Sequence, residues 1–159
     1  MSDSKLFCTF HVGDQHYGVP VEDVQEVLSG AHITGMPLSP PAILGLMNIR
    51  GQIVPAVAMR RVLTDQHEVD MESAMNVVVR HDGAEISLVV DSIDDVIDVQ
   101  LSSIERTPDT LKRSLKRYIR GVAQMTNELL LILDVHAVLA DDRCRKSQEQ
   151  QLYKNPILH

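Results

Sequence analysis

The chain has 159 residues, a formal net charge of −7, 44% hydrophobic residues and 23% charged ones. That length holds one domain with a substantial core or two small units sharing one, and the acidic balance argues against the concentrated basic surface that nucleic acid requires. With no Trp, three Tyr and two Phe, the core has to be aliphatic, and abundant Val favours pleated strands over helices.

Leu6-Phe7-Cys8-Thr9-Phe10-His11-Val12 alternates, which places Leu6, Cys8, Phe10 and Val12 on one face. Gly13-Asp14 supplies a turn and His16–Val21 a second strand, so a hairpin is expected. Pro20 cannot donate to a ladder, so that strand runs along an edge or ends there. Val21, Val24, Val27 and Leu28 form a stripe that reads as a helical turn leading into a strand. Residues 29–44, with Gly30, Gly35, Pro37, Pro40 and Pro41, form a loop.

Residues 45–49 and 52–57 read as a hairpin about Arg50-Gly51, where glycine suits the positive φ of a tight turn. Met59–Leu63 follows as a short helix and 64–73 as a polar connector. Residues 75–80 and 85–90 flank Asp82-Gly83, a strong hairpin signal. Ile93–Val99 is a further apolar segment. Ile119–Met125 and Leu129–Leu133 flank a Thr126-Asn127 turn, and Asp134 is placed to cap a helix over 135–139. The basic run from Lys112 to Arg120 reads as a solvated face. From Asp141 the composition is polar, as expected of a tail or terminal helix.

Two segments repeat. Residues 45–63, GLMNIRGQIVPAVAMRRVL, lie without a gap over 121–139, GVAQMTNELLLILDVHAVL, at an offset of 76. Residues 16–28 lie over 85–97 at an offset of 69, and an insertion within 98–118 accounts for the difference. The chain is therefore expected to be mainly β, with two strand-rich units. Small sheets of this length remove their edges by closing into barrels, with a groove between the two.

No catalytic or metal-binding pattern is legible. The seven His show no ligand spacing, and neither HExxH, CxxC nor GxSxG occurs. Asp91, Asp94, Asp95 and Asp98 lack the pattern of a calcium loop and read as solvated. Cys8 and Cys144 stand far apart, Cys8 as a small core residue and Cys144 in the polar tail, which favours a reducing compartment. The N-terminus lacks the apolar stretch of a signal peptide, so the cytosol is the expected location. Arg50 has to project outward from its turn, either as an ordinary surface side chain or as a rigidly presented contact for a partner.

A longer pattern runs through these elements. Phe10-x-Val12-Gly13, Gly18-Val19-Pro20-Val21, Val24-Gln25-Glu26-Val27, Gly45-x2-Asn48-Ile49-Arg50-Gly51-x-Ile53-Val54-Pro55, Val89-Val90-Asp91 and Leu131-Ile132-Leu133-Asp134 together resemble the CheW family of chemotaxis coupling proteins. The resemblance covers about residues 6–140. It implies two pseudo-repeated five-stranded β-barrel subdomains with a few short helices. On that reading 16–70 is the first barrel, 75–139 the second, 6–12 a strand joining them, and 141–159 a tail.

The resemblance further implies a non-enzymatic adaptor without cofactor or metal. It would couple the cytoplasmic tips of methyl-accepting chemoreceptors to a CheA-type histidine kinase, through the kinase's CheW-like regulatory domain. It would meet the inner membrane only through receptor arrays and would bind no nucleic acid. Val24, Glu26, Gly45, Asn48, Arg50 and Met75 would face the receptor, with Glu26 and Arg50 as an acidic–basic pair. One departure stands out: Ala58 occupies a position where the family usually has Asp, and losing such a helix cap typically costs about 0.5–2 kcal/mol. That departure keeps open an adaptor of the same kind in another pathway, such as twitching, surface sensing or array organisation.

Overall fold

The computed structural model describes residues 3–30 and 32–145. Alternation and turn chemistry produce three hairpins in the first 90 residues: β1 (Ser4–Val12) with β2 (Gln15–Pro20), β4 (Ile43–Ile49) with β5 (Gln52–Ala58), and β6 (Met75–His81) with β7 (Ala84–Val90). Each closes on two residues. Arg50-Gly51 and Asp82-Gly83 both take positive φ at both positions, the type I′ geometry whose twist matches the flanking strands. A single 3₁₀ turn, Val21–Asp23, leads into β3 (Val24–Ser29). The second half adds β8 (Ser92–Gln100), the two-residue β9 (Ile104–Glu105), β10 (Ile119–Gln124) and β11 (Leu129–Leu133). The described residues also form three short helices, α1 (Met59–Leu63), α2 (Arg113–Lys116) and α3 (Val135–Leu139), and 3₁₀ turns at Leu101–Ser103 and Asp142–Cys144. No helix among the described residues is long and apolar enough to cross a membrane.

The strands form two sheets, in the orders β8-β1-β2-β11-β10-β9 and β3-β6-β7-β5-β4. Six strands and five therefore replace the expected five and five, and the extra one is β9. Its counterpart in the other sheet is the lone bridge between Thr34 and Leu46. Each sheet contains one parallel pairing, β11 with β2 and β5 with β7.

The sheets do not divide at residue 70 as the repeat suggested. The β6–β7 hairpin pairs with β3 and β5, while β1–β2 pairs with β8 and β11. Each repeat thus gives its leading hairpin to one sheet and its remaining strands to the other, a reciprocal exchange that local alternation cannot reveal. The repeat itself holds in backbone detail. The Ala58 N–H donates to the Ala42 carbonyl at 2.7 Å, and the Asp134 N–H donates to the Tyr118 carbonyl at 2.7 Å. β4 and β10 bulge at Gly45 and Gly121.

Central strands are buried on both faces. Val77 and Val79 enter the main cluster between the sheets, while Val78 enters a smaller one with Met47, Val54 and Val89. Leu131 and Leu133 face the main cluster, and Leu130 and Ile132 join Phe7 and Val99 in a third. This two-sided burial explains the unbroken apolar runs in β6 and β11. It also corrects one expectation: Leu6 is exposed, and Phe7 is buried on the opposite face from Cys8, Phe10 and Val12.

The segment after α3 is more firmly seated than its composition indicated. Asp141 is 4% exposed and accepts hydrogen bonds from Tyr118, Arg117 and Arg143. Burial pushes its carboxyl up, but the bonds from Arg143, Tyr118 and Arg117 outweigh that and hold it well below the usual carboxylate range. Arg143 also donates to the Arg61 and Val62 carbonyls, so it covers the C-terminal end of α1. At the other end Ala58 offers no side-chain cap, whereas Asp134 accepts from the Ala137 N–H at 3.1 Å at the start of α3. Cys144 packs against the main cluster, and burial pushes its thiol up to about 12. Residues 146–159 lie outside the described residues.

Candidate functional site

The β4–β5 turn forces the one arrangement in which a long cationic side chain leaves the sheet from a fixed base. Arg50 has φ 49° and Gly51 φ 82°. Asn48 Oδ1 accepts the Gly51 N–H at 3.0 Å and pins the turn from below. An L-residue in the left-handed region costs about 1–2 kcal/mol, so this backbone is maintained by its surroundings. From it the Arg50 guanidinium donates through Nη2 to Glu26 Oε1 on β3. The Arg50 side chain is 70% exposed and Glu26 26% exposed, so solvent screening leaves the pair little net stability. It orients a charge rather than holding the fold.

Glu26, Asn48 and Arg50 line a cleft of about 390 Å³, together with Leu28, His32, Thr34, Met47 and Ile49. The other three expected site residues are elsewhere. Val24, at the start of β3, and Met75, at the start of β6, pack against the main cluster. Gly45 is buried at the β4 bulge, where a Cβ would lie 2.2 Å from the Thr34 carbonyl oxygen. Its role in the site is to let the loop segment at Thr34 approach β4 and bridge to Leu46, which builds the cleft wall. The sequence did not single out Leu28, His32 or Thr34 for the cleft, because they reach it only through the β3–β6 pairing and the Thr34–Leu46 bridge.

A second recess lies where the five-stranded sheet meets α3. It holds about 380 Å³ and is walled mainly by Ile43, Leu46, Pro55, Val57, Ile86 and Leu139. Met36, 39% exposed, also lines it, and Leu38 of the same loop is 64% exposed with φ 61°. None of the six expected residues lines this recess. The acidic cluster also differs from expectation. Asp91 accepts from Arg60 Nε at 2.7 Å and from the Gly13 N–H at 2.8 Å, and so ties α1 to the β1–β2 turn. Asp94 contacts His11.

Two sheets pack across a main apolar cluster that includes Phe10, Tyr17 and Tyr118 beside its aliphatic residues, with a charged cleft at a hairpin tip and an apolar recess beside α3. The chain belongs to the CheW-like domain family, whose model matches residues 6–143. It is 26% identical over 136 residues to the chemotaxis protein CheW of Helicobacter pylori, covering 86% of this chain and 82% of that one. To the chemotaxis protein CheW of Bacillus subtilis it is 28% identical over 143 residues, covering 89% and 91%. Among solved structures, a scaffolding protein of Thermoanaerobacter tengcongensis, TtCheW, superposes with a TM-score of 0.79 at 24% identity, over 91% of this chain and 97% of that one.

Proposed function

We propose that the chain is a non-enzymatic scaffold that couples the cytoplasmic tips of methyl-accepting chemoreceptors to a CheA-type histidine kinase, engaging the kinase's CheW-like regulatory domain. Family membership over residues 6–143 supports the scaffold role. The observation that carries the site is Arg50, held at positive φ on a pinned two-residue turn and oriented by Glu26 beside a cleft. Preorganised arginine forks are favoured at interfaces, because little side-chain entropy is lost on docking. The reading places the protein at receptor arrays on the inner membrane, reached through its partners.

The test is co-sedimentation with membranes bearing chemoreceptors, with and without the kinase. Arg50→Glu should remove receptor-dependent sedimentation and leave the circular dichroism spectrum and kinase binding unchanged. Undiminished sedimentation of the variant would overturn the site. A second reading, the same module serving a different kinase and receptor set, is favoured by the uncapped start of α1 at Ala58. Identifying the kinase that accompanies the protein in a pull-down from native lysate separates the two.

A further inference from the structure

Equivalent cross-strand positions in the two leading hairpins carry different chemistry. In β6–β7, Arg80 stands opposite Glu85, Nη2 to Oε1 at 3.4 Å. That pair neutralises itself. In β1–β2, His11 stands opposite His16, and the two imidazoles stack with centroids 4.5 Å apart and planes 4° from parallel. Stacking satisfies none of the four ring nitrogens, so their partners have to come from other strands.

Two carboxylates flank the stack. Asp94 of β8 brings Oδ2 to 2.5 Å from His11 Nδ1 and 3.4 Å from His16 Nε2. On the other side Glu128, just before β11, places Oε1 2.9 Å from His16 Nδ1 and Oε2 3.6 Å from His11 Nε2. His16 is only 6% exposed, yet neither of its ring nitrogens completes a hydrogen bond of normal geometry despite these short approaches. A buried polar group in that state is costly unless something else engages it.

We propose that His11 Nδ1, His16 Nε2 and Asp94 form a three-ligand site for Zn²⁺, with Glu128 orienting both imidazoles from behind. The ligand atoms of His11, His16 and Asp94 lie within 4.8 Å of one another. Tetrahedral zinc with bonds of about 2.0–2.2 Å separates its ligands by about 3.3–3.6 Å. An imidazole binds a metal in its own ring plane, so the parallel rings cannot both serve one ion as they stand. His11 and Asp94, whose side chains are 31% and 33% exposed, are the two ligands with room to turn, and His11 has to swing out of the stack on binding. Zinc-bound histidines commonly give their other ring N–H to a carboxylate, which sets tautomer and ring orientation, and Glu128 stands where it can do this for both rings. Two imidazoles with one carboxylate suit zinc rather than calcium or magnesium, which prefer all-oxygen shells. A bound ion would join β1, β2 and β8 across the junction between the two repeats. The site goes beyond the adaptor reading and does not rest on it.

The test uses the full chain without an affinity tag, stripped of metal and titrated with Co²⁺ as a spectroscopic stand-in, then with competing Zn²⁺. The expected result is one ion per chain by equilibrium dialysis, tetrahedral Co²⁺ absorption that Zn²⁺ displaces, and a Zn²⁺-dependent rise in melting temperature. His11→Gln and Asp94→Asn, at partly exposed positions and expected to keep the native circular dichroism spectrum, should each abolish all three signals. Glu128→Gln should weaken binding about 10–100-fold. His81→Gln, which alters the separate group of His81, Asp82 and His136, should change nothing. Absence of binding to the unmodified chain, or binding that survives His11→Gln and Asp94→Asn, would overturn the proposal.

Discussion

The β4–β5 and β10–β11 hairpins are one device used twice and finished differently. Both bulge at a glycine, Gly45 or Gly121, and both are followed by a backbone bond of the same length, from Ala58 to Ala42 and from Asp134 to Tyr118. At their tips the likeness stops. Arg50 and Gly51 take the left-handed region, whereas Thr126 and Asn127 do not. After their last strands, Asp134 caps α3 while Ala58 leaves α1 uncapped and Arg143 covers its far end. Positions that set strand spacing are thus held in both copies, and positions that face outward have diverged. The strained turn occurs in the copy that presents a charge.

The comparison can be broken most sharply at the glycines. A Cβ on either glycine would meet a backbone oxygen, but on Gly45 it would lie 2.2 Å from that of Thr34, whereas on Gly121 it would lie 2.9 Å from that of Glu105 and from the Ile104 side chain. Gly45→Ala should cost about 3 kcal/mol or more and Gly121→Ala about 1–2 kcal/mol, in chemical denaturation, on the usual scale of overpacking. Equal costs would contradict the claim that the cleft wall is the tighter of the two approaches.

Asp141 comes next. Asp141→Asn removes the charge that Arg117, Arg143 and Tyr118 converge on, and should cost about 2 kcal/mol at neutral pH. Because the folded carboxyl titrates below its unfolded value of about 3.9, its contribution is complete above about pH 4. It is lost as pH falls from there through the folded value. The gap between the native chain and the variant should therefore narrow on acidification, which denaturation at a series of pH values reads directly. The smallest effect is at the caps. Asp134→Ala should cost about 1 kcal/mol in thermal or urea unfolding and make α3 as bare at its start as α1.

Local structure was open to sequence reasoning and long-range pairing was not. The Asp82-Gly83 and Arg50-Gly51 turns and the bounds of α1 and α3 follow from period and turn chemistry, which act over a few residues. The crossing of β3 and β8 into opposite sheets does not, since alternation states which face a residue occupies and never which strand lies beside it. The same limit governs the site. The pairing of Glu26 with Arg50 came from a family resemblance, and the Leu28, His32 and Thr34 side of the cleft depends on strand neighbours. His11 and His16 were within reach, because they flank a two-residue turn and so must stand opposite each other. Their five-residue separation along the chain matches no ligand motif, and they meet only across the ladder.

The most direct test of the account compares the two tips in parallel. Arg50→Glu and Thr126→Glu place the same charge on equivalent turns of the two hairpins, and both proteins are measured for binding to receptor-bearing membranes. The account predicts that Arg50→Glu loses binding and Thr126→Glu retains it, with both chains folded. Equal loss in the two variants, or loss confined to Thr126→Glu, would contradict the assignment of recognition to the first copy.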